Sequence, residues 1–319
     1  MRFGTGNRET ILALARMARL PNLFIIILTQ VLLRYAVFQR FLYEGNGDLL
    51  SPAPDFFLLV LATVLVALAG YIINDYQDVP ADQLNKPGKN PFEKAIRPRT
   101  GLVAYWTLNG LAMLIAVFLG IRARSLLFGL IFPFTAILLW LYSMRYKQML
   151  LVGNLVVAGL SAMVIFMVWY SEFLYLRLNP DLFAGVLPDM KLTNLYFTGY
   201  ALFAFLVSLI REIIKDMEDR EGDRHVGCRT LPLVLGMTFS RNLITAVIVI
   251  TVLVLGFTMS VLYNRDQNWA FWYLLAAVQA PLIFLMVKLF FAKRTDEFHF
   301  LSNLCKIIIV AGIISMQLL

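Results

Sequence analysis

The sequence predicts an all-α polytopic membrane protein, and its composition supports this fold class in two ways. Of the 319 residues, 60% are hydrophobic and 15% are charged, whereas a soluble domain carries about 25% charged residues. The mean hydropathy of +0.74 also indicates that lipid, rather than water, surrounds most of the chain. The two cysteines, Cys228 and Cys305, show neither a disulfide framework nor a metal-binding pattern.

A membrane-spanning helix needs about 20 predominantly apolar residues, and nine stretches of the chain satisfy this requirement. The predicted spans are Pro21–Phe41, Phe56–Asn74, Leu102–Ile121, Leu126–Ser143, Leu151–Trp169, Leu195–Ile214, Leu243–Leu262, Phe271–Phe291 and Leu301–Leu318. The longest hydrophilic segments are Asp75–Thr100, Tyr170–Thr193 and Lys215–Thr230. None of these resembles a soluble domain, so the sequence predicts one integral-membrane domain over residues 1–319.

Basic residues are distributed unevenly among the predicted loops. The N-terminal segment and the loops after the second, fourth, sixth and eighth spans contain most of the lysines and arginines. The positive-inside rule therefore predicts that the N-terminus and these loops are cytoplasmic, in a bacterial or archaeal cell membrane. The net charge of +8 suits loops that face lipid phosphates, and we do not expect nucleic acid as a partner.

An acidic motif directly follows the second predicted span. The uncharged run "FFLLVLATVLVALAGYII" is followed by "NDYQDVPAD", which begins at Asn74. Residues three or four apart share one face of a helix, so Asp75, Asp78 and the amide of Asn74 are expected to converge. The proline of this motif disfavours a helical Val79, so Asp82 is expected just beyond the helix end.

A second motif with the same spacing follows the sixth predicted span. It reads "DMEDREGD", and Asp216, Asp219 and Asp223 each lie 141 residues after a member of the first motif. Four spans separate the motifs, so both are expected on the same membrane face. Converging carboxylates repel one another unless a cation joins them, and Mg²⁺ binds through few carboxylates plus substrate phosphates. The two clusters would hold Mg²⁺ against a diphosphate, whereas two solvated loops are the alternative interpretation.

Both motifs resemble those of the UbiA superfamily of intramembrane prenyltransferases, which have N-D-x-x-D-x-x-x-D and a later D-x-x-D-x-x-x-D. The segment "RTLPLVLG", which begins at Arg229, resembles the family's continuation after the second motif. The segment "YSMRYKQMLLVGN", from Tyr142 to Asn154, resembles the one after the family's fourth helix. The resemblance covers nearly the whole chain and implies one UbiA-like bundle of nine helices.

This resemblance implies an Mg²⁺-dependent enzyme that ionises an allylic polyprenyl diphosphate and transfers the prenyl group to a membrane-associated acceptor. The implied catalytic residues are Asp78, Asp82, Asp219 and Asp223. The implied metal ligands are Asn74, Asp75, Asp78, Asp82, Asp216, Asp219 and Asp223. The implied diphosphate contacts are Tyr142, Lys147, Arg211 and Lys215. The implied acceptor contacts are Arg19 and Asn22. The apolar bundle would keep water away from the prenyl cation, and the prenyl tail would lie among the helices or extend into the membrane lipids.

The acceptor is predicted from two short segments. "RLPN", at the start of the first span, and "NKP", at Asn85, look most like the ether-lipid branch, the digeranylgeranylglyceryl phosphate synthases. The best prediction is therefore a geranylgeranyl donor with geranylgeranylglyceryl phosphate as the acceptor. An aromatic quinone precursor of the hydroxybenzoate or naphthoate type is the alternative. The loop has Lys89 where relatives have arginine, so the roles of its basic residues stay open.

Two other classes of membrane protein fit less well. A CDP-alcohol phosphotransferase would have one compact motif with glycine after its second aspartate, whereas Val79 occupies that place and a second motif exists. A transporter could use the acids as an ion path, but the predicted clusters lie at helix ends on one face only. The oligomeric state is left open.

Overall fold

The computed structural model describes residues 14–15, 17–43, 47–85, 87–88 and 90–319. Within these ranges the chain contains no β-strand, and nine helices are long and apolar enough to cross a membrane. They are α1 (Leu20–Leu42), α2 (Ala53–Gln77), α3 (Pro98–Arg122), α4 (Leu126–Met144), α5 (Val152–Leu178), α6 (Met190–Glu218), α7 (Gly236–Tyr263), α8 (Asn268–Phe291) and α9 (Thr295–Leu318). The predicted all-α membrane fold is therefore confirmed. Lys86 and Lys89 lie outside the described residues.

Each observed helix overlaps its predicted span, and the differences lie at the helix ends. α5 continues through residues 170–178, where the sequence predicted the start of a hydrophilic segment. Glu172 is buried in this extension, where its carboxylate accepts a 2.7 Å hydrogen bond from the hydroxyl of Tyr43. α6 likewise continues to Glu218, so Asp216 is a helical residue rather than a loop residue.

The chain divides into two compact units, of which the first comprises the described residues within 1–27, 51–149 and 221–228. In this unit α2 packs against α3 and α4, and α3 packs against α4. Glycine permits the close approach of α3 and α4, since a Cβ atom added to Gly120 would lie 3.2 Å from the Cα atom of Gly129. Small residues allow such approaches between helix backbones in membranes.

The second unit comprises the described residues within 28–50, 150–220 and 229–319, and α6 is its central helix. α6 packs against α5, α7, α9 and the π-helical part of α1, Leu33–Leu42. Its apolar stretch is 56% buried, compared with 33% for α5 and α7, which identifies α6 as the core of this unit. The single domain predicted for residues 1–319 stays a prediction.

Candidate active site

The first acidic motif lies where α2 ends. Asp75 is in the last turn of α2, and Asp78 is its C-cap residue, whose backbone N–H donates a 2.9 Å hydrogen bond to the carbonyl of Asn74. The short helix Val79–Asn85 follows directly and carries Asp82. The C-terminal end of a helix is partially negative, so carboxylates placed there are stabilised only if cations or hydrogen-bond donors lie nearby.

Val79 is helical, so the prediction that the following proline would keep it out of a helix was wrong. Pro80 is the second residue of its short helix, where the missing N–H costs no hydrogen bond and the fixed φ suits the first turn. Asp82 lies beyond α2, as expected, but within this new helix. Its backbone N–H donates a 2.8 Å hydrogen bond to the carbonyl of Asp78, which continues the helical path.

Asp75 is neutralised by Arg19. One terminal nitrogen of the guanidinium lies 2.6 Å from Oδ1 of Asp75, and the guanidinium carbon lies 4.9 Å from the ring centre of Tyr71. Burial works most strongly against the charged form of Arg19, but the charge and hydrogen bond of Asp75 prevail and keep the arginine pKa above its usual value. Arg19 was expected at an acceptor, and the structure places it on a predicted metal ligand.

Asp78 has two partners. Lys147 forms an ion pair with Oδ1 of Asp78 from the 3₁₀ turn Tyr146–Gln148, which follows α4. The side-chain amide of Asn74 donates a 2.6 Å hydrogen bond to Oδ2. The predicted convergence of Asn74 and Asp78 on one helix face is therefore present, although the amide serves Asp78 as a donor.

Asp82 is held by Asn90, a residue that the sequence interpretation missed. The amide nitrogen of Asn90 donates to Oδ2 of Asp82 at 2.9 Å and to the backbone carbonyl of Asp75 at 2.8 Å. The amide oxygen accepts a 3.0 Å hydrogen bond from the N–H of Phe92 and so caps the helix Pro91–Lys94. The dipeptide Asn-Pro, a frequent start of a helix, was the available signal for this role.

Apolar packing beneath the first motif fixes its position. Ile72 and Ile73 of α2 are buried in one cluster with Phe92 and Ile96, the side chains that follow Asn90. The Tyr76 and Phe92 rings also meet edge to face, with their centres 5.7 Å apart. This cluster anchors the loop after α2 against the end of that helix, so Asn90 is placed by burial as well as by hydrogen bonds.

The second motif is built in the same way at the end of α6. Asp216 lies in the last part of the helix, and its Oδ2 accepts a 2.8 Å hydrogen bond from the amide of Asn154, near the start of α5. Asp219 is the C-cap residue, like Asp78 in α2, and its backbone N–H bonds to the carbonyl of Lys215 at 2.9 Å. Asp223 lies in the short helix that follows, which groups with the first unit.

The remaining predicted site residues lie on three different helices, α6, α4 and α1. Arg211 forms an ion pair with its neighbour Glu212 in α6, and its Nε atom is buried without a hydrogen-bond partner. Lys215 lies partly buried one turn further along the same helix. Tyr142 is partly buried in α4, and Asn22 lies in the first turn of α1, where its N–H bonds to the carbonyl of Arg19 at 2.8 Å.

Among the residues described, no three acidic, histidine or cysteine side chains lie together in the geometry of a metal site. Each of the carboxylates Asp75, Asp78, Asp82 and Asp216 has a cationic or amide partner. The oxygen-rich donor set nevertheless has the chemistry that Mg²⁺ prefers.

Comparison with known proteins identifies the family. The profile of the UbiA prenyltransferase family matches residues 41–304. The chain belongs to the UbiA prenyltransferase family. This assignment confirms the family predicted from the two aspartate motifs and agrees with the predicted enzyme class.

Within the family, the chain is similar to archaeal proteins. It is 32% identical over 198 residues to the digeranylgeranylglyceryl phosphate synthase of Thermococcus sibiricus, and the matched region spans 61% of each chain. A UbiA homologue from Aeropyrum pernix has the same fold, with a TM-score of 0.63, 18% identity and 98% of each chain covered. A UbiA homologue from Archaeoglobus fulgidus, solved with DMAPP and Mg²⁺, has a TM-score of 0.57 and 14% identity over 96% of this chain and 99% of that one.

Proposed function

We propose that this protein transfers a geranylgeranyl group from geranylgeranyl diphosphate to geranylgeranylglyceryl phosphate in an Mg²⁺-dependent reaction. The observation that carries this proposal is the paired construction of the two aspartate motifs. In each, the first aspartate lies near the end of a long helix, the second caps that helix and the third lies in the first turn of the following short helix. The similarity to a digeranylgeranylglyceryl phosphate synthase over 61% of both chains supports the choice of substrates.

The donor set fits Mg²⁺. The proposed ligands are Asn74, Asp75, Asp78, Asp82, Asp216, Asp219 and Asp223. Carboxylate and amide oxygens are hard ligands, and Mg²⁺ usually completes its shell with water and substrate phosphate. When bound, the metal ions would neutralise the diphosphate and stabilise the charge that develops as it leaves. The related structure solved with DMAPP and Mg²⁺ supports Mg²⁺ as the metal ion.

The basic side chains would bind the diphosphate directly. Lys147 is already held beside Asp78, so its ammonium group needs little movement to contact a phosphate oxygen next to that carboxylate. Arg211 retains an unpartnered Nε donor for an anion, and Lys215 follows it one turn later in α6. Tyr142 would add a hydroxyl donor to the same diphosphate. These contacts would be stronger in an apolar site than in water.

In the proposed reaction, the bond between C1 of the prenyl chain and the diphosphate oxygen breaks. A new ether bond then forms between C1 and the acceptor hydroxyl, which releases its proton. The apolar helices exclude the water that would otherwise convert the cation to an alcohol. Arg19 and Asn22, at the start of α1, would bind the acceptor.

The orientation in the membrane is also part of the proposal. The concentration of lysine and arginine in the loops that carry both motifs supports a cytoplasmic position for these loops and for the N-terminus. The diphosphate donor would then enter from the cytoplasmic face. Cysteine-labelling of single introduced thiols in intact cells would test this sidedness.

The test is direct incubation of the purified protein in nanodiscs with Mg²⁺ and geranylgeranyl diphosphate. Geranylgeranylglyceryl phosphate, hydroxybenzoate and a naphthoate are offered separately, and the lipid products are identified by mass spectrometry. We expect the ether-linked product alone. Turnover of only an aromatic acceptor would reject the proposed acceptor, and no diphosphate release with any acceptor would reject the enzyme itself.

Two alanine variants test the metal ligands. Asp78→Ala and Asp219→Ala each remove the central carboxylate of one motif, and each should abolish Mg²⁺-dependent diphosphate release. Asp55→Ala, at the opposite end of α2, is the matched control and should retain activity. Activity preserved in both motif variants would refute the metal assignment.

A further inference from the structure

We propose that Arg19 exchanges its anionic partner during the reaction: it neutralises Asp75 in the free protein and binds the acceptor phosphate once a metal ion occupies Asp75. Metal binding and acceptor binding are thereby coupled through one side chain. This inference rests on the proposed function, and it assigns to Arg19 a role in the order of substrate binding.

The first step concerns competition for one oxygen. The guanidinium of Arg19 occupies Oδ1 of Asp75 at 2.6 Å, and the Asp75 side chain is only 11% exposed. A metal ion that binds this carboxylate must take over a position that Arg19 now fills. A carboxylate whose charge is already neutralised by Mg²⁺ attracts a guanidinium less strongly, so the metal weakens the ion pair.

The second step concerns the cost of exchange. The Arg19 side chain is 34% exposed, so part of its guanidinium reaches solvent and can contact a second anion. Asp75 is buried, so the ion pair opens at low cost only when both of its charges are compensated, the carboxylate by the metal ion and the guanidinium by a second anion. The planar guanidinium also offers donors in the geometry that a phosphate group prefers.

The third step concerns where the released side chain stays. Its guanidinium lies over the ring of Tyr71, one turn before Asp75 on α2, and this contact does not involve the carboxylate. The backbone of Arg19 has a φ of 47°, a left-handed conformation that non-glycine residues rarely adopt. Arg19 lies at the junction where α1 begins. The contact with Tyr71 would keep the guanidinium beside Asp75 after the ion pair opens.

A comparison with Lys147 indicates why Arg19 is the cation that exchanges its anionic partner. Both cations neutralise aspartates of the first motif, but the Lys147 side chain is 16% exposed, about half the exposure of Arg19. Asp78 also retains a second donor in Asn74. Arg19 is therefore the more accessible of the two cations, so an acceptor headgroup can reach it more readily than it can reach Lys147.

The first experiment measures Mn²⁺ binding to the detergent-purified full chain by electron paramagnetic resonance, without substrates. Arg19→Gln removes the competing cation, so Mn²⁺ should bind about tenfold more tightly, as expected from loss of one charged hydrogen bond. Arg122→Gln is the matched control, because Arg122 forms a 3.0 Å ion pair with Asp55 at the other end of the same helix. This control should leave Mn²⁺ affinity unchanged.

The second experiment measures the Michaelis constants for the phosphorylated acceptor and for its dephosphorylated alcohol. At saturating Mg²⁺, the KM of Arg19→Gln for the phosphorylated acceptor should rise about tenfold or more, while the KM for the donor and for the alcohol stay constant. Arg19→Lys keeps the charge without the planar fork and should recover part of the affinity.

The outcomes separate this inference from the proposed function. No Mn²⁺ binding to the wild-type protein would reject the metal site and, with it, the inference. If the wild-type protein binds Mn²⁺ and Arg19→Gln binds it equally or more weakly, only the exchange is rejected. That result is expected if Arg19 has a purely structural role. Tighter Mn²⁺ binding with an unchanged KM for the phosphorylated acceptor would reject the acceptor half of the inference.

Discussion

The ion pair between Lys147 and Asp78 should couple the loop after α4 to the end of α2, and a double-mutant cycle measures this coupling. The side chains of the pair are 16% and 25% exposed, so solvent screens them only in part. A hydrogen bond to a charged group contributes about 1.5–3 kcal/mol, whereas exposed pairs contribute about 0–1 kcal/mol. We expect a coupling free energy of about 1.5–3 kcal/mol between these two side chains.

The cycle consists of Lys147→Met, Asp78→Ala and the double variant, each unfolded thermally in the same detergent without divalent metal. Asp78→Ala should cost more than Lys147→Met, because it leaves an ammonium group without its carboxylate, whereas Asp78 keeps the 2.6 Å hydrogen bond from Asn74 when Lys147 is removed. The double variant should be no less stable than Asp78→Ala alone.

A parallel cycle on Arg122 and Asp55 is the control. That ion pair has a separation of 3.0 Å, but its arginine side chain is 52% exposed, so its coupling should be about 0–1 kcal/mol. Effects at Lys147 and Asp78 that add within about 0.5 kcal/mol would show that the two side chains do not stabilise each other. That result would refute the reasoning about the first motif.

Three further variants test packing and the polar contacts. Gly312→Ala should destabilise the protein by about 1–3 kcal/mol, because the new methyl group overlaps the ring of Phe203. Gly159→Ala is the control and should leave stability unchanged, because the space around Gly159 is open. Thermal unfolding compares the two variants. Tyr43→Phe should lose about 1–3 kcal/mol of stability by removing the donor to a buried carboxylate. Burial raises the pKa of Tyr43 above its usual 10.0, so the wild type should lose stability as pH rises past that value and the phenylalanine variant should lose less, as melting curves across pH would show. Asn90→Ala should lower kcat with Mg²⁺ about tenfold or more by releasing Asp82, and raised Mg²⁺ should restore part of the rate.

The nine membrane-spanning helices were predictable because length and lack of charge decide whether a segment can cross the bilayer. The ends of the helices were less predictable. α5 continues past the buried Glu172, whose carboxylate accepts a hydrogen bond from Tyr43, 129 residues away in sequence. A hydropathy pattern reads each segment alone, so it cannot detect a partner that compensates a charge from another helix.

The candidate site, like the helix ends, was predictable from the sequence only in part. Helical spacing indicated that Asn74 and Asp78 share a face, and the structure places them in a 2.6 Å hydrogen bond. The ion pair of Arg19 with Asp75 depends on tertiary packing, which the sequence does not show. From the sequence, Arg19 was therefore assigned to the acceptor instead. Asn90 was missed because its function combines a helix cap, which the sequence shows, with a contact to Asp82, which it does not.

The most direct test of the central claim is product analysis of the wild-type protein with geranylgeranyl diphosphate and geranylgeranylglyceryl phosphate, before and after removal of divalent metal. With Mg²⁺ we expect an ether-linked lipid carrying two geranylgeranyl chains and one equivalent of released diphosphate for each molecule formed. Chelation should stop both, and added Mg²⁺ should restore both. Equal product formation with and without Mg²⁺, or formation of only an aromatic prenyl product, would contradict the proposed function.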